Sequence, residues 1–209
     1  MKVLMINGSP HPNGCTARAL QEMQSIFEQE GVESEIITVG NKDIRGCISC
    51  RRCKTTGQCV FNNDLVNEVA VKFRECDGLV LGSPVYYASA NGTLISFVDR
   101  LFYSAGADTR MKVGAAVVSA RRAGNTATFD ELNKYFTIAQ MPVASSQYWN
   151  QVHGYSAEDV EKDKEGLQTM RTLARNMVFL MRGIALAKEQ YGLPEAEEEH
   201  FFTSFCDGL

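Results

Sequence analysis

The chain has 209 residues, 44% of them hydrophobic and 22% charged, and carries a formal net charge of −4. That length suits one α/β domain with a sizeable core, and the acidic balance excludes the basic footprint of a nucleic-acid-binding protein. No apolar run approaches the ~18 residues of a membrane span, and the apolar start breaks at Asn7-Gly8, so neither a signal peptide nor a membrane segment is read and a cytoplasmic protein is expected.

KVLMI (2–6) reads as the first strand, followed by a helix from Thr16 to Glu30 that ends at Gly31 as a C-cap. SEIITV (34–39) is the second strand. A helix is expected over Asp64 to Glu75, a third strand at GLVLG (78–82) and a helix from Gly92 to Tyr103. VGAAVVS (113–119) is the fourth strand, Thr126 to Ala139 a helix, and MPVASS (141–146) the fifth strand. A last long helix, Ser156 to Tyr191, carries Leu167, Met170, Leu173, Met177, Leu180 and Met181 as a packing stripe. From Gly192 the chain becomes a tail, EAEEEH then FFTSF, which either frays or docks on the body or a second subunit. Five strands with single-helix crossovers predict an α/β domain over residues 1–191, its parallel sheet covered on both faces, followed by a tail over 192–209. The ligand crevice is expected beyond the carboxyl ends of the strands, where strand order switches.

The loops after the strands therefore bear on function. GSPHPNGCT (8–16) lacks the Lys of a nucleoside-triphosphate loop and the glycine spacing of a dinucleotide fingerprint. What remains is a helix start with free backbone N–H groups and the hydroxyls of Ser9 and Thr16, suited to one phosphate group, or else a simple turn. SPVYYASANG (83–92) adds two tyrosines and a proline, SARRAGN (119–125) two arginines, and SSQYWNQVHG (145–154) the only tryptophan. One phosphate cradle beside aromatic loops points to a mononucleotide with a large flat ring. His11, His153 and His200 form no constellation.

GSPHPNGCT, the CxxCxxCx5C run, SPVYYASANGTLISFVDRLF (83–102) and YWNQVHG leading to DKEGLQTMRTLARNM (163–177) together resemble the flavodoxin-like NAD(P)H-dependent FMN reductases, and within them the iron-sulfur flavoprotein group. The resemblance spans residues 1 to about 180. It implies a three-layer αβα flavodoxin-like fold with a five-stranded parallel sheet, bound FMN, and a homodimer or homotetramer. By that likeness Ser9, Asn13, Gly14, Cys15 and Thr16 surround the phosphate. Pro84, Val85, Tyr86, Tyr87 and Ser89 would lie along the isoalloxazine, with Ser119 and Arg121 bordering its other side. Cys15 stands where Asn is usual in that family, and Asn63 where an acidic pair often follows the cysteines.

The seven cysteines of a reducing compartment are read as metal-binding or catalytic rather than disulfide-bonded, with Cys76 and Cys206 left without a role. Cys47, Cys50, Cys53 and Cys59 lie within an insertion loop at 46–60. Zinc sites usually join two separated knuckles, and three cysteines in seven residues are crowded for that. At i, i+3 and i+6 they suit three corners of a cubane, with Cys59 as the fourth. Metal-free reduced thiols are the remaining reading. The resemblance assigns these four as ligands of a [4Fe-4S] cluster.

Two classes of function follow. One is an FMN oxidoreductase that takes electrons from NAD(P)H or a ferredoxin-like donor and passes them to an acceptor, with or without a cluster as relay. The other is a non-enzymatic redox carrier or thiol-based sensor.

Overall fold

The computed structural model describes residues 1–194, so the tail's EAEEEH and FFTSF, with His200 and Cys206, lie outside the described residues. Strands β1 (Lys2–Asn7), β2 (Glu33–Thr38), β3 (Gly78–Tyr86), β5 (Val113–Ala120) and β6 (Gln151–His153) form a parallel sheet in the order β2-β1-β3-β5-β6. The two-residue β4 (Ser89–Ala90) turns back antiparallel on the end of β3. Strand order reverses between β1 and β3, which places the crevice at the carboxyl ends of those two strands.

Successive strand residues point to opposite faces, and both faces are apolar. Val3, Met5 and Val80 pack with helices α1 (Cys15–Gln29), α6 (Ala157–Val160) and α7 (Lys164–Tyr191). Leu4, Ile6, Leu79 and Leu81 pack with α3 (Val66–Glu75), α4 (Gly92–Ser104) and α5 (Asn125–Ile138). The result is three layers, with the short α2 (Cys53–Thr56) inside the cysteine loop. Phe73, Phe97 and Phe136 anchor α3, α4 and α5 with side chains wholly removed from water, each burial worth ~1.5–3 kcal/mol. Helix α1 ends as its sequence indicates, with Gly31 at φ 70° just beyond the Glu30 cap. No helix among the described residues is long and apolar enough to cross a membrane.

Two expectations need correction. MPVASS is not a strand: only Val143 bridges Gly114, and the fifth parallel strand is β6, paired with Val118, Ser119 and Ala120. The cause is polar and local. Ser146 Oγ lies 2.6 Å from both Asn150 Oδ1 and the Tyr148 carbonyl oxygen, its one O–H shared between them, folding residues 145–150 out of the sheet before the chain returns. The long helix also starts later than Ser156. Ser156 and Asp159 form a capping box for the one-turn α6, and Asp163 then caps a new helix by accepting the Gly166 N–H at 2.9 Å. The packing stripe on α7 is as expected, with Leu167, Met170, Leu173, Met177 and Met181 buried and Leu180 packed at the edge.

Candidate functional site

The loop after β1 is held from below. Asn7 Oδ1 accepts the Ser9 N–H at 3.0 Å, Ser9 Oγ accepts the His11 N–H at 3.1 Å, and the Gly8 N–H reaches the Gly82 carbonyl at 2.7 Å. Gly40, after β2, lies against this loop backbone to backbone: a Cβ there would stand 2.2 Å from the Gly8 oxygen. Gly14 caps α1 without any side-chain hydrogen bond, so the first N–H groups of the helix face outward uncapped, at the positive end of its dipole. Beside them His11, Pro12, Asn13, Gly14, Ser156, Ala157 and Glu158 line a depression of about 340 Å³. The segment is thus a tight turn that ends at an uncapped helix start, the kind of place where a phosphate group can bind.

Thr16 and Ser119, 103 residues apart, meet through their hydroxyls at 2.8 Å, and both are buried. Cys15 Sγ donates to the Gly154 carbonyl at 3.5 Å. The loops after β1, β5 and β6 are therefore joined. The loop after β3 joins them through Gly124, whose left-handed backbone (φ 88°) lies so close that a Cβ would be 2.9 Å from Val85 Cγ1. At its tip, Tyr87 (φ 52°) and Ala88 (φ 59°) form a two-residue hairpin turn of the kind that favours Asn-Gly, at a strain of ~1–2 kcal/mol per residue. Tyr87 is fully solvent-exposed and Tyr86 partly so. Glu131 on α5, which the sequence did not single out, clamps the hairpin: one carboxylate oxygen accepts both the Ser89 hydroxyl and the Ala90 N–H at 2.8 Å. Arg121 and Arg122 are exposed above the end of β5, and Trp149 stacks at a tilt on Tyr148, centroids 5.2 Å apart. His153 ends β6 with its backbone N–H donating to Asp163 Oδ2 at 2.7 Å. A larger cavity of about 740 Å³, lined by Arg74, Asp77, Lys112 and Met181, lies where β3 and β5 begin, the end of the sheet at which such folds do not bind their ligands.

The cysteine loop packs elsewhere, on α4. Cys47, Cys50, Cys53 and Cys59 line one pocket together with Ile48, Val60, Phe61 and Arg100. The backbone coils to bring them there, with Ser49 (φ 54°) and Arg51 (φ 58°) left-handed. Left-handed residues alternating with others turn successive N–H groups inward, the geometry of anion nests at iron-sulfur sites. The Ser49 N–H donates to Cys47 Sγ at 3.4 Å and Arg100 Nε to Cys59 Sγ at 3.2 Å. Among the described residues no group of three or more His, Cys, Asp or Glu is placed to hold a metal ion. One zinc ion would need its sulfurs ~3.8 Å apart, whereas a cubane, being larger, holds its thiolates farther apart.

Sequence reasoning passed over Asp64 and Arg100, which form a buried ion pair beside the cysteine loop. Asp64 also accepts the Val66 N–H at 3.1 Å and so starts α3 in spite of Asn63. Cys76 stands apart from the loop, and burial pushes its thiol up to about 11. In metal-free protein at pH 8, iodoacetamide is expected to modify the exposed Cys47 and Cys50 first and to spare Cys76 until the chain unfolds. Peptide mass spectrometry over a time course reads this, and alkylation of Cys76 as fast as of Cys50 would contradict its placement.

Residues 1–155 match the model of a family described as NADPH-dependent FMN reductase. The chain is 33% identical over 190 residues to an iron-sulfur flavoprotein of Methanocaldococcus jannaschii, covering 87% of this chain and 98% of that protein. Among solved structures it is similar to RosB with a bound 8-demethyl-8-formylriboflavin-5'-phosphate intermediate, with a TM-score of 0.71 and 15% identity over 99% of this chain and 92% of that one. A flavodoxin from the domain Archaea gives a TM-score of 0.54 and 15% identity over 84% and 99% of the two chains. At those identities the structural matches establish the flavodoxin-like fold.

Proposed function

Since the chain belongs to the NADPH-dependent FMN reductase family, we propose that it is an FMN-dependent oxidoreductase that takes electrons from NAD(P)H or a small redox protein, with a [4Fe-4S] cluster at the cysteine loop for one-electron exchange. Bound FMN would supply both hydride and single-electron chemistry. The observation that carries the cluster part is the convergence of all four thiols of the 46–60 loop on one pocket with N–H donors aimed at two of them.

The chain's own residues divide the work. The uncapped start of α1, with Ser9, Asn13, Gly14, Cys15 and Thr16, would hold the phosphate, the dipole adding ~0.3–2 kcal/mol to the hydrogen bonds. Pro84, Val85, Tyr86, Tyr87 and Ser89 would border the ring from the strained hairpin, with Ser119 and Arg121 opposite. The exposed Tyr87 leaves room for a donor to stack from solvent. From Gly92, at the foot of that hairpin, to Arg100, against the cysteines, α4 runs about 12 Å. The two sites are thus separate, joined by one helix.

Thr16→Ala removes a buried hydroxyl from both the cradle and the Ser119 bond. It is expected to weaken FMN binding by about 1.5–3 kcal/mol, measured by fluorescence titration, and unchanged affinity would remove this loop from the site. The function itself is tested by the absorption spectrum of anaerobically purified protein, followed by NADH, NADPH or reduced ferredoxin. Bleaching of a flavin band by one of these donors is expected. A clusterless FMN reductase is the second reading, with Cys47 and Cys50 remaining the exposed free thiols they are in this structure. Flavin reduction without iron or labile sulfide would select it. A flavin that no donor reduces would favour the carrier or sensor.

A further inference from the structure

Arg100 is a charged side chain on the buried face of a helix, and its side chain is 1% exposed. All five of its N–H donors are used. Nε donates to Cys59 Sγ at 3.2 Å; Nη1 donates to Asp64 Oδ2 and, at 3.2 Å, to the Arg45 carbonyl; Nη2 donates to Asp64 Oδ1 and the Phe61 carbonyl, both at 3.2 Å. Arg45 immediately precedes the cysteine loop and Phe61 immediately follows it. One guanidinium therefore closes the mouth of the loop, and the guanidinium groups of both Arg45 and Arg100 lie over the Phe61 ring, at 4.4 and 5.2 Å from its centroid.

A buried ion pair used only as a staple needs no contact with a thiol, and it would be as well served by apolar packing. Here the fifth donor is aimed at sulfur, and Asp64, only 5% exposed, neutralises the cation. We propose that Arg100, oriented and neutralised by Asp64, is a positioning residue for the iron-sulfur cluster: it holds Cys59 and the loop mouth in place before metal arrives, and it sets the cluster's potential through the N–H···S bond. The proposal rests on the reading of the cysteine loop as a cluster site. An N–H donor stabilises negative charge on sulfur, which is greater in the reduced cluster, so the bond raises the potential. Asp64 opposes it. Lysine cannot replace the fork, because its three donors radiate from one point and cannot reach two carbonyls, a carboxylate and a thiolate in one plane.

The test uses FMN-loaded full-length protein with Arg100→Lys, Arg100→Gln and Asp64→Asn. In metal-free protein, amide hydrogen exchange over residues 46–60 is expected to be tenfold or more faster in Arg100→Lys than in wild type. After anaerobic reconstitution with ferrous iron and sulfide, the Arg100 variants should retain half the wild-type iron or less. Redox titration of the loaded fraction should place the Arg100→Gln potential below wild type and that of Asp64→Asn above it. A purely structural staple would lower loading and leave the potential of the loaded fraction unmoved, and that result overturns the proposal. So do wild-type exchange and wild-type loading in the Arg100 variants. Bound FMN reports that a variant has folded, and Asp64→Asn, which preserves side-chain shape, carries the potential measurement if an Arg100 variant does not fold. Wild-type protein that binds FMN and takes up no iron or sulfide would instead end the cluster reading and, with it, this role for Arg100.

Discussion

Replacing any one of Cys47, Cys50, Cys53 and Cys59 by Ser is expected to abolish iron and labile sulfide while leaving FMN bound. Wild-type protein prepared anaerobically should hold close to four of each per chain, on the order of one cubane. The prediction is selective because the thiols belong to the 46–60 loop packed against α4 near Arg100, whereas the loop after β1 and the hairpin lie at the strand ends. A serine hydroxyl is a poor substitute for a thiolate towards iron, so partial occupancy is not expected from geometry alone. Electron delivery to one-electron acceptors should drop, the flavin's own single-electron chemistry remaining, and direct reduction of the flavin by a hydride donor should persist. Cys76→Ser is the control, since Cys76 is buried beside Phe73 and away from the loop. Stoichiometric zinc without sulfide in the wild type would overturn the cubane and point to a tetrathiolate site.

The second large effect concerns a residue that need not touch the cofactor. Gly40→Ala is expected to weaken FMN binding from about fivefold to over a hundredfold, the equivalent of 1–3 kcal/mol for overpacking at a site that cannot relax freely. The added Cβ would stand 2.2 Å from the Gly8 oxygen and 2.3 Å from the Ser9 carbonyl carbon, both backbone atoms of the loop after β1. No rotamer change relieves such a contact, so the loop itself must move. Gly31→Ala separates this effect from simple destabilisation. Gly31 also has a left-handed backbone, at φ 70°, but nothing lies within 4 Å of its missing Cβ. It should lose stability by roughly 1 kcal/mol and keep its affinity for FMN. Equal affinity losses in the two variants would refute the close approach of the Gly40 segment to the cradle.

The layers of this fold were legible because they are written in local periodicity. Val3 and Met5 alternate with Leu4 and Ile6, and the stripe from Leu167 to Met181 recurs at helical spacing, so each segment declares its buried faces by itself. The split of the last strand was not legible. MPVASS has strand composition, and the turn that expels residues 145–150 depends on Ser146 reaching Asn150, which competes with the sheet only once β5 presents its edge. Arg100 left a fainter signal. It follows Phe97 by three residues on a helix face that also buries Leu94 and Leu101, and a cation there requires a buried partner.

What the sequence determined by itself is what contiguous residues encode: an alternating α/β chain, a small-residue turn at the start of the first helix, and four thiols close enough along the chain to share one ligand. What only the tertiary structure decided is which distant groups complete those pieces. Arg100 meets Asp64, Cys59 and Arg45 across 36, 41 and 55 residues, Glu131 meets Ser89 across 42, and Thr16 meets Ser119 across 103. Each of these bonds depends on where a helix docks on the sheet, and docking is set by the packing of whole faces rather than by any local pattern. A periodicity can show that a face will be buried, but the partner on the other side is chosen by the order in which the strands assemble.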